Sequence, residues 1–134
     1  MYMTIEPINH QDLLGLRVAT ESRQSILEKI EKGLDLKTDD RGLKTEETSK
    51  KHIFPYVITT PNTEQTVEAS RNRLFTTILN QSDLALPDGI GIVLASRILK
   101  TEDGGQKVER LQTQIPCVEF MQDLVSIAAK KRVR

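Results

Sequence analysis

The sequence predicts an α/β fold, a short parallel sheet flanked by helices, and three observations carry the prediction. Strand-like and helix-like patterns follow one another as strand, helix, strand, helix, helix, an order that implies parallel strands joined by right-handed crossovers. Val57-Ile58-Thr59 is β-branched throughout, as suits a strand buried on both faces. Ser82 to Leu94 reads as a short buried strand, an abrupt turn and a helix entered through Gly89 and Gly91. Ligands of such sheets collect beyond the carboxyl ends of the strands. A parallel pair therefore places Thr60, Asn62 and Asp88 along one rim.

The first strand is expected within Leu13–Val18, with Gly15 at a bend. Thr20 is a candidate N-cap for a helix over about 21–33, with Ile26, Leu27, Ile30 and Leu34 on its buried face and Gly33 as its stop. Residues 35–51 are charged and polar in both signs, and read as a solvated, mobile insertion. A strand follows over 53–59, with Pro55 near its start. Pro61 ends it, and Asn62 or Thr63 can cap the next helix. Val67 and Ala69 belong to that helix, and Leu74, Phe75, Ile78 and Leu79 form the apolar face of another ending at Asn80.

The helix over about 89–100 is expected to bury Ile90, Val93, Leu94, Ile98 and Leu99. A polar loop spans 101–114 and holds the turn signal Asp103-Gly104-Gly105. The last helix covers about 117–130, with Val118, Met121, Leu124, Val125 and Ala128 inward.

At 134 residues the chain fits one domain, 1–134. Its 19 acidic and 19 basic residues balance, so no global charge argues for nucleic acid. No apolar run reaches the ~18 residues needed to span a bilayer, and the N-terminus lacks a signal-peptide plan. A single cysteine, Cys117, excludes a disulfide framework and a thiolate metal cluster. His10 and His52 stand far apart in polar surroundings and read as solvated loop residues, not metal ligands. A cytoplasmic setting is the expectation.

Asp88 has two readings. As an N-cap it stabilises its helix by about 1 kcal/mol; as a general base it must be ionised and within reach of an acceptor hydroxyl. Gly89 and Gly91 read either as a phosphate-cradling turn or as close helix–sheet packing. Thr60 and Asn62 can bind a sugar or phosphate, and capping explains them equally well. Arg97 and Arg110 can neutralise a diphosphate or simply lie in solvent.

Two motifs break these ties. Thr60-Pro61-Asn62-Thr63-Glu64, followed some twenty residues on by Ser82-Asp83 and Pro87-Asp88-Gly89-Ile90-Gly91, resembles the WecG/TagA/CpsF glycosyltransferase family. The resemblance implies a Rossmann-like fold of which this chain is the N-terminal half. It also implies transfer of an N-acetylmannosamine-type sugar from a UDP-sugar to polyprenyl-diphosphate-linked N-acetylglucosamine, in building teichoic acid, common antigen or capsule.

By that resemblance Asp88 is the base of an inverting displacement. Thr60 and Asn62 line the pocket, and Gly89 and Gly91 allow close approach. No cofactor or metal is implied. Arg110 matches an arginine of the family, and Glu119, in Pro116-Cys117-Val118-Glu119, stands where the family has the acid of a Gly-x-Asp. The family's second half, with much of the UDP site and a basic, membrane-associating tail, implies a site at the inner face of the plasma membrane. The competing expectation is a non-catalytic remnant that binds a partner, through self-association or with a second half.

Overall fold

The computed structural model describes residues 2–35, 51–53, 55–98, 111 and 113–132. Its elements are β1 (Tyr2–Thr4), β2 (His10–Leu13), β3 (Leu16–Ala19), α1 (Arg23–Asp35), β4 (Lys51–Ile53), β5 (Ile58–Thr59), α2 (Thr63–Arg71), α3 (Arg73–Asn80), β6 (Leu84–Ala85), α4 (Ile90–Ile98) and α5 (Cys117–Lys130). The α/β class is as the sequence predicts. Among the described residues, three two-stranded ladders replace the single sheet: β1 with β4 and β2 with β3 antiparallel, β5 with β6 parallel.

Helices cover both faces of the β3–β6 layer. On one side Ile26 and Ile30 of α1 and Phe120 of α5 pack with Ala19, Leu84, Leu86 and Ile115. On the other, Ala69 of α2, Ile92 and Val93 of α4 and Leu111 pack with Leu13, Leu16 and Val18, edged by Phe75 and Leu79 of α3. The alternation of β3 divides the two cores, because Leu16 and Val18 point one way and Ala19 lies in the other cluster.

Several sequence expectations change. Leu13–Val18 is not one strand with a bend but the centre of a hairpin. Leu14 and Gly15 both adopt positive φ, 52° and 89°, as a two-residue hairpin turn of the primed type requires. The Asp12 carboxylate accepts from Gly15 N–H at 2.9 Å. The strand expected over 53–59 is split, with β4 paired to β1 and only Ile58–Thr59 in the parallel pair. Val57 between them gives its N–H to the Asp83 carboxylate at 2.7 Å, and its side chain is exposed.

Thr20 does not cap α1. It prolongs β3 by donating to Asn9 O at 2.9 Å, and Ser22 caps instead, its Oγ accepting from Ser25 N–H at 3.2 Å. Gly33 is a buried position inside the helix, which runs on to Asp35. Residues 36–50, most of the expected insertion, lie outside the described residues, as do 99–110. Leu111, assigned to a polar loop, is buried.

The largest revision concerns which helix faces are inward. In α4 the buried residues are Ile92, Val93 and Ser96, while Ile90, Leu94 and Ile98 are exposed. In α5 Phe120 is buried and Val118, Met121 and Val125 are exposed. Leu74 and Ile78 of α3 are exposed as well. α4 and α5 are apolar around so much of their circumference that periodicity alone cannot select the buried face, whereas α3 is amphipathic and only the Phe75 and Leu79 part of its apolar face meets the core.

Polar contacts lock α1 into place. Glu21 accepts from Asn9 N–H at 2.8 Å, Lys29 Nζ at 2.6 Å and Ser25 Oγ at 2.6 Å, and Lys29 also donates to Pro7 O at 2.6 Å. Burial pushes the Glu21 carboxyl up, but the Lys29, Ser25 and Asn9 bonds outweigh it, and the net shift is downward from 4.5. Arg23 reaches α5, bonding Asp123 at 2.6 Å and pairing with Glu119. The Asp123 bond, reinforced by Glu119, outweighs desolvation and raises the guanidinium above its ordinary value.

Glu21→Ala should cost about 2 kcal/mol, because it strands several donors at once. A carboxyl depressed in the fold stabilises fully above its unfolded value and loses that contribution as pH falls through the folded one. Urea unfolding across pH 3–7 should therefore show the gap between native chain and variant narrowing below about pH 4.5.

Candidate active site

The parallel pair extends further in hydrogen bonds than in regular strand. Leu84 N–H donates to Val57 O at 3.2 Å, Leu86 N–H to Thr59 O at 2.8 Å and Asp88 N–H to Pro61 O at 3.1 Å. Each rung advances two residues on both chains, the repeat of a parallel ladder. The last rung lies beyond both strands, and it fixes Asp88 against the Thr60-Pro61-Asn62 turn. Pro61 has no N–H to return, so the ladder ends there. Ser82 ties the start of the pair, its hydroxyl 3.0 Å from Thr59 Oγ1 and donating to Leu79 O at 2.7 Å.

Two helices start from this rim. Asn62 caps α2 in a capping box, its Oδ1 accepting from Gln65 N–H at 2.9 Å while Gln65 Oε1 accepts from Asn62 N–H at 3.2 Å. Capping is thus realised, yet Asn62 is exposed and, among the described residues, its Nδ2 has no partner. The half-buried Thr60 hydroxyl likewise has none among them.

Asp88 does not cap α4. The helix begins at Ile90, with Gly89 between, and the Asp88 carboxylate accepts no hydrogen bond among the described residues. It is half-buried and, when ionised, an acceptor only. α4 starts at Ile90 and α2 at Thr63, so both helix starts, with their positive dipole ends, adjoin the joined Asp88 and Pro61-Asn62 turns.

The two glycines serve different ends. Gly89 has φ 94° and open space where a Cβ would be, so its requirement is conformational. Gly91 has an ordinary helical φ, but a Cβ there would overlap Thr63 Oγ1. Its close approach is to α2.

Glu119, read as a substrate-binding acid, is paired with Arg23 of α1, and among the described residues it bonds nothing in the two turns. Arg110 lies outside the described residues. Cys117 opens α5 half-buried, behind Pro116. Sequence reasoning includes Thr63 only as a candidate cap and Ser82-Asp83 only within the second motif, and it misses Ile115 as support for the site. Ile115 N–H donates to Pro87 O at 2.7 Å, which seats the entry to α5 beside the Asp88 turn. A Ser-Asp pair just before a strand is a signal for the local side-chain bonds that Ser82 and Asp83 make.

The parallel strands thus end in a carboxylate without a partner among the described residues, two polar side chains and two helix starts. The model of the glycosyl transferase WecG/TagA/CpsF family matches residues 12–134, and the chain belongs to that family. The chain is also 35% identical over 78 residues to the N-acetylglucosaminyldiphosphoundecaprenol N-acetyl-beta-D-mannosaminyltransferase of Bacillus subtilis (strain 168). That alignment covers 58% of this chain and 27% of the relative, so the chain spans only about a quarter of the relative it matches.

Stability should separate these roles. Asn62→Ala should cost about 1 kcal/mol through the lost cap, and Gly89→Ala about 1–2 kcal/mol through its left-handed backbone. Asp88→Asn should stay within about 0.5 kcal/mol of the native chain, since no native bond is lost. Urea titration of the three variants reads all of this.

Proposed function

We propose that the chain acts in transfer of an N-acetylmannosamine-type sugar from a UDP-sugar to polyprenyl-diphosphate-linked N-acetylglucosamine, during cell-surface polysaccharide synthesis. Teichoic acid, common antigen and capsule are the polymer classes that use such a step. The observation that carries the reading is the Asp88 carboxylate, unpaired among the described residues and fixed opposite Pro61 at the rim in a chain of this family. The printed activity of the Bacillus relative supports the sugar and the acceptor class.

Asp88 takes the proton of the acceptor hydroxyl as that oxygen attacks the anomeric carbon of the donor. The bond from that carbon to the UDP oxygen breaks on the opposite face, UDP departs with the electron pair, and the configuration inverts. Thr60 and Asn62 hydrogen-bond the sugar. The starts of α2 and α4, with Arg110, meet the diphosphate charge, so the transfer runs without a metal or other cofactor. The setting proposed is the cytoplasmic face of the plasma membrane; among the described residues no helix is long and apolar enough to cross a membrane.

A second reading is a non-catalytic binding domain that works with a further polypeptide or a second copy. The exposed apolar rows Ile90, Leu94, Ile98 on α4 and Val118, Met121, Val125 on α5 favour it.

A radiolabelled UDP-sugar transfer assay separates the two. Catalysis predicts transfer to the lipid-linked acceptor that falls at least about 100-fold in Asp88→Asn, the range for a lost general base. Transfer unchanged by that substitution removes Asp88 as the base, and no transfer by the native chain favours the binding domain.

A further inference from the structure

We propose that Thr63 is a positioning residue for Asp88, acting through Gly91. The proposal rests on reading Asp88 as the transfer base. Thr63 is the first residue of α2 and Gly91 the second of α4. A Cβ built at Gly91 would overlap Thr63 Oγ1 and lie 3.5 Å from its Cβ and 3.7 Å from its Cγ2. The Thr63 side chain thus occupies the space that a side chain at Gly91 would need.

Neither core packing nor capping explains Thr63. It is exposed, and its hydroxyl has no hydrogen-bond partner among the described residues, since Asn62 performs the capping. Its contact completes a closed frame. The bond from Asp88 N–H to Pro61 O fixes one end of the 88–91 segment against the 61–63 segment, and Thr63 against Gly91 fixes the other. Between these points lies Gly89 at φ 94°, a residue with enough backbone freedom to let the turn swivel on a single attachment. Two attachments hold the backbone of the Asp88 turn in one position against the Thr60-Pro61-Asn62 turn.

A double-mutant cycle tests this. Ala is the better helix former, so Gly91→Ala should not weaken α4 itself. It should nonetheless lower kcat by about 10- to 100-fold, the scale of a misplaced catalytic group, with donor KM changed less than about twofold. Thr63→Ala alone loses the second attachment and should itself lower kcat by about 10-fold; in the Thr63→Ala, Gly91→Ala pair the added methyl refills the space that Oγ1 left, so the pair should recover to the level of Thr63→Ala alone or above it. Thr63→Ser keeps Oγ1, so Thr63→Ser with Gly91→Ala should stay impaired.

The amide exchange rate of Asp88 gives a readout independent of turnover. It should rise at least about tenfold in Gly91→Ala and return in the Thr63→Ala pair. Full activity of Gly91→Ala, an unrecovered Thr63→Ala pair, or an Asp88 amide indifferent to Gly91→Ala each overturns the proposal. Should Gly91→Ala fail to fold, recovery of fold and exchange rate in the Thr63→Ala pair supports it, and failure of the pair as well overturns it. Absence of transfer by the native chain defeats the transfer reading alone, and Asp88 exchange then decides the positioning.

Discussion

The bond from Asp88 N–H to Pro61 O, 3.1 Å long, is the constraint on which the site depends. Without it, two turns merely leave neighbouring strands. With it, they become one surface: a carboxylate on one side, a hydroxyl and an amide on the other, and two helix starts behind. Pro61 shapes this rung twice. Its carbonyl receives the last ladder bond, and its missing N–H stops the ladder so that the chain can turn into α2. Both Pro61 and Pro87 are buried, which anchors the turns from beneath while Asn62 stays exposed.

The rest of the fold holds that rung steady. Leu84 and Leu86 carry β6 into the core shared by α1 and α5, and Ile92 and Val93 carry α4 into the other. Asp83 fastens Val57, just before β5, and Ser82, just before β6, bonds Thr59, so side chains tie the parallel pair ahead of the Asp88 rung. Arg23 draws α5 onto α1, and in doing so engages Glu119. That pairing gives Glu119 a structural occupation distinct from the acid role its sequence position suggests.

The local chemistry of the site was legible because turn residues declare themselves. Thr60-Pro61-Asn62 announces a strand end and a cap, and Pro87-Asp88-Gly89 announces a sharp entry to a helix; both stand where the order of elements put them. Of the two readings of Asp88, the cap is not realised, because one inserted residue with positive φ carries Asp88 out of capping reach, and φ is not written in residue order. The Thr63–Gly91 contact lies between two helices and leaves no short-range trace. Inward faces failed where helices are apolar all round, as in α4 and α5, since burial there is decided by neighbours and not by period. Strand partners failed for a similar reason: β4 pairs with β1 across a long separation, and Ile53 alone cannot say which strand it meets.

Family membership and the rim geometry meet at one claim, that Asp88 is held beside Thr60 and Asn62 by a backbone bond and not by capping. A through-hydrogen-bond NMR coupling between Asp88 nitrogen and Pro61 carbonyl carbon tests it most directly. The account predicts that this coupling appears alongside the one between Leu86 nitrogen and Thr59 carbonyl carbon, with none linking the Asp88 carboxylate to amides of α4. A ladder that shows the Thr59 coupling and lacks the Pro61 one, with the Asp88 carboxylate bonded to the α4 amides, would contradict it.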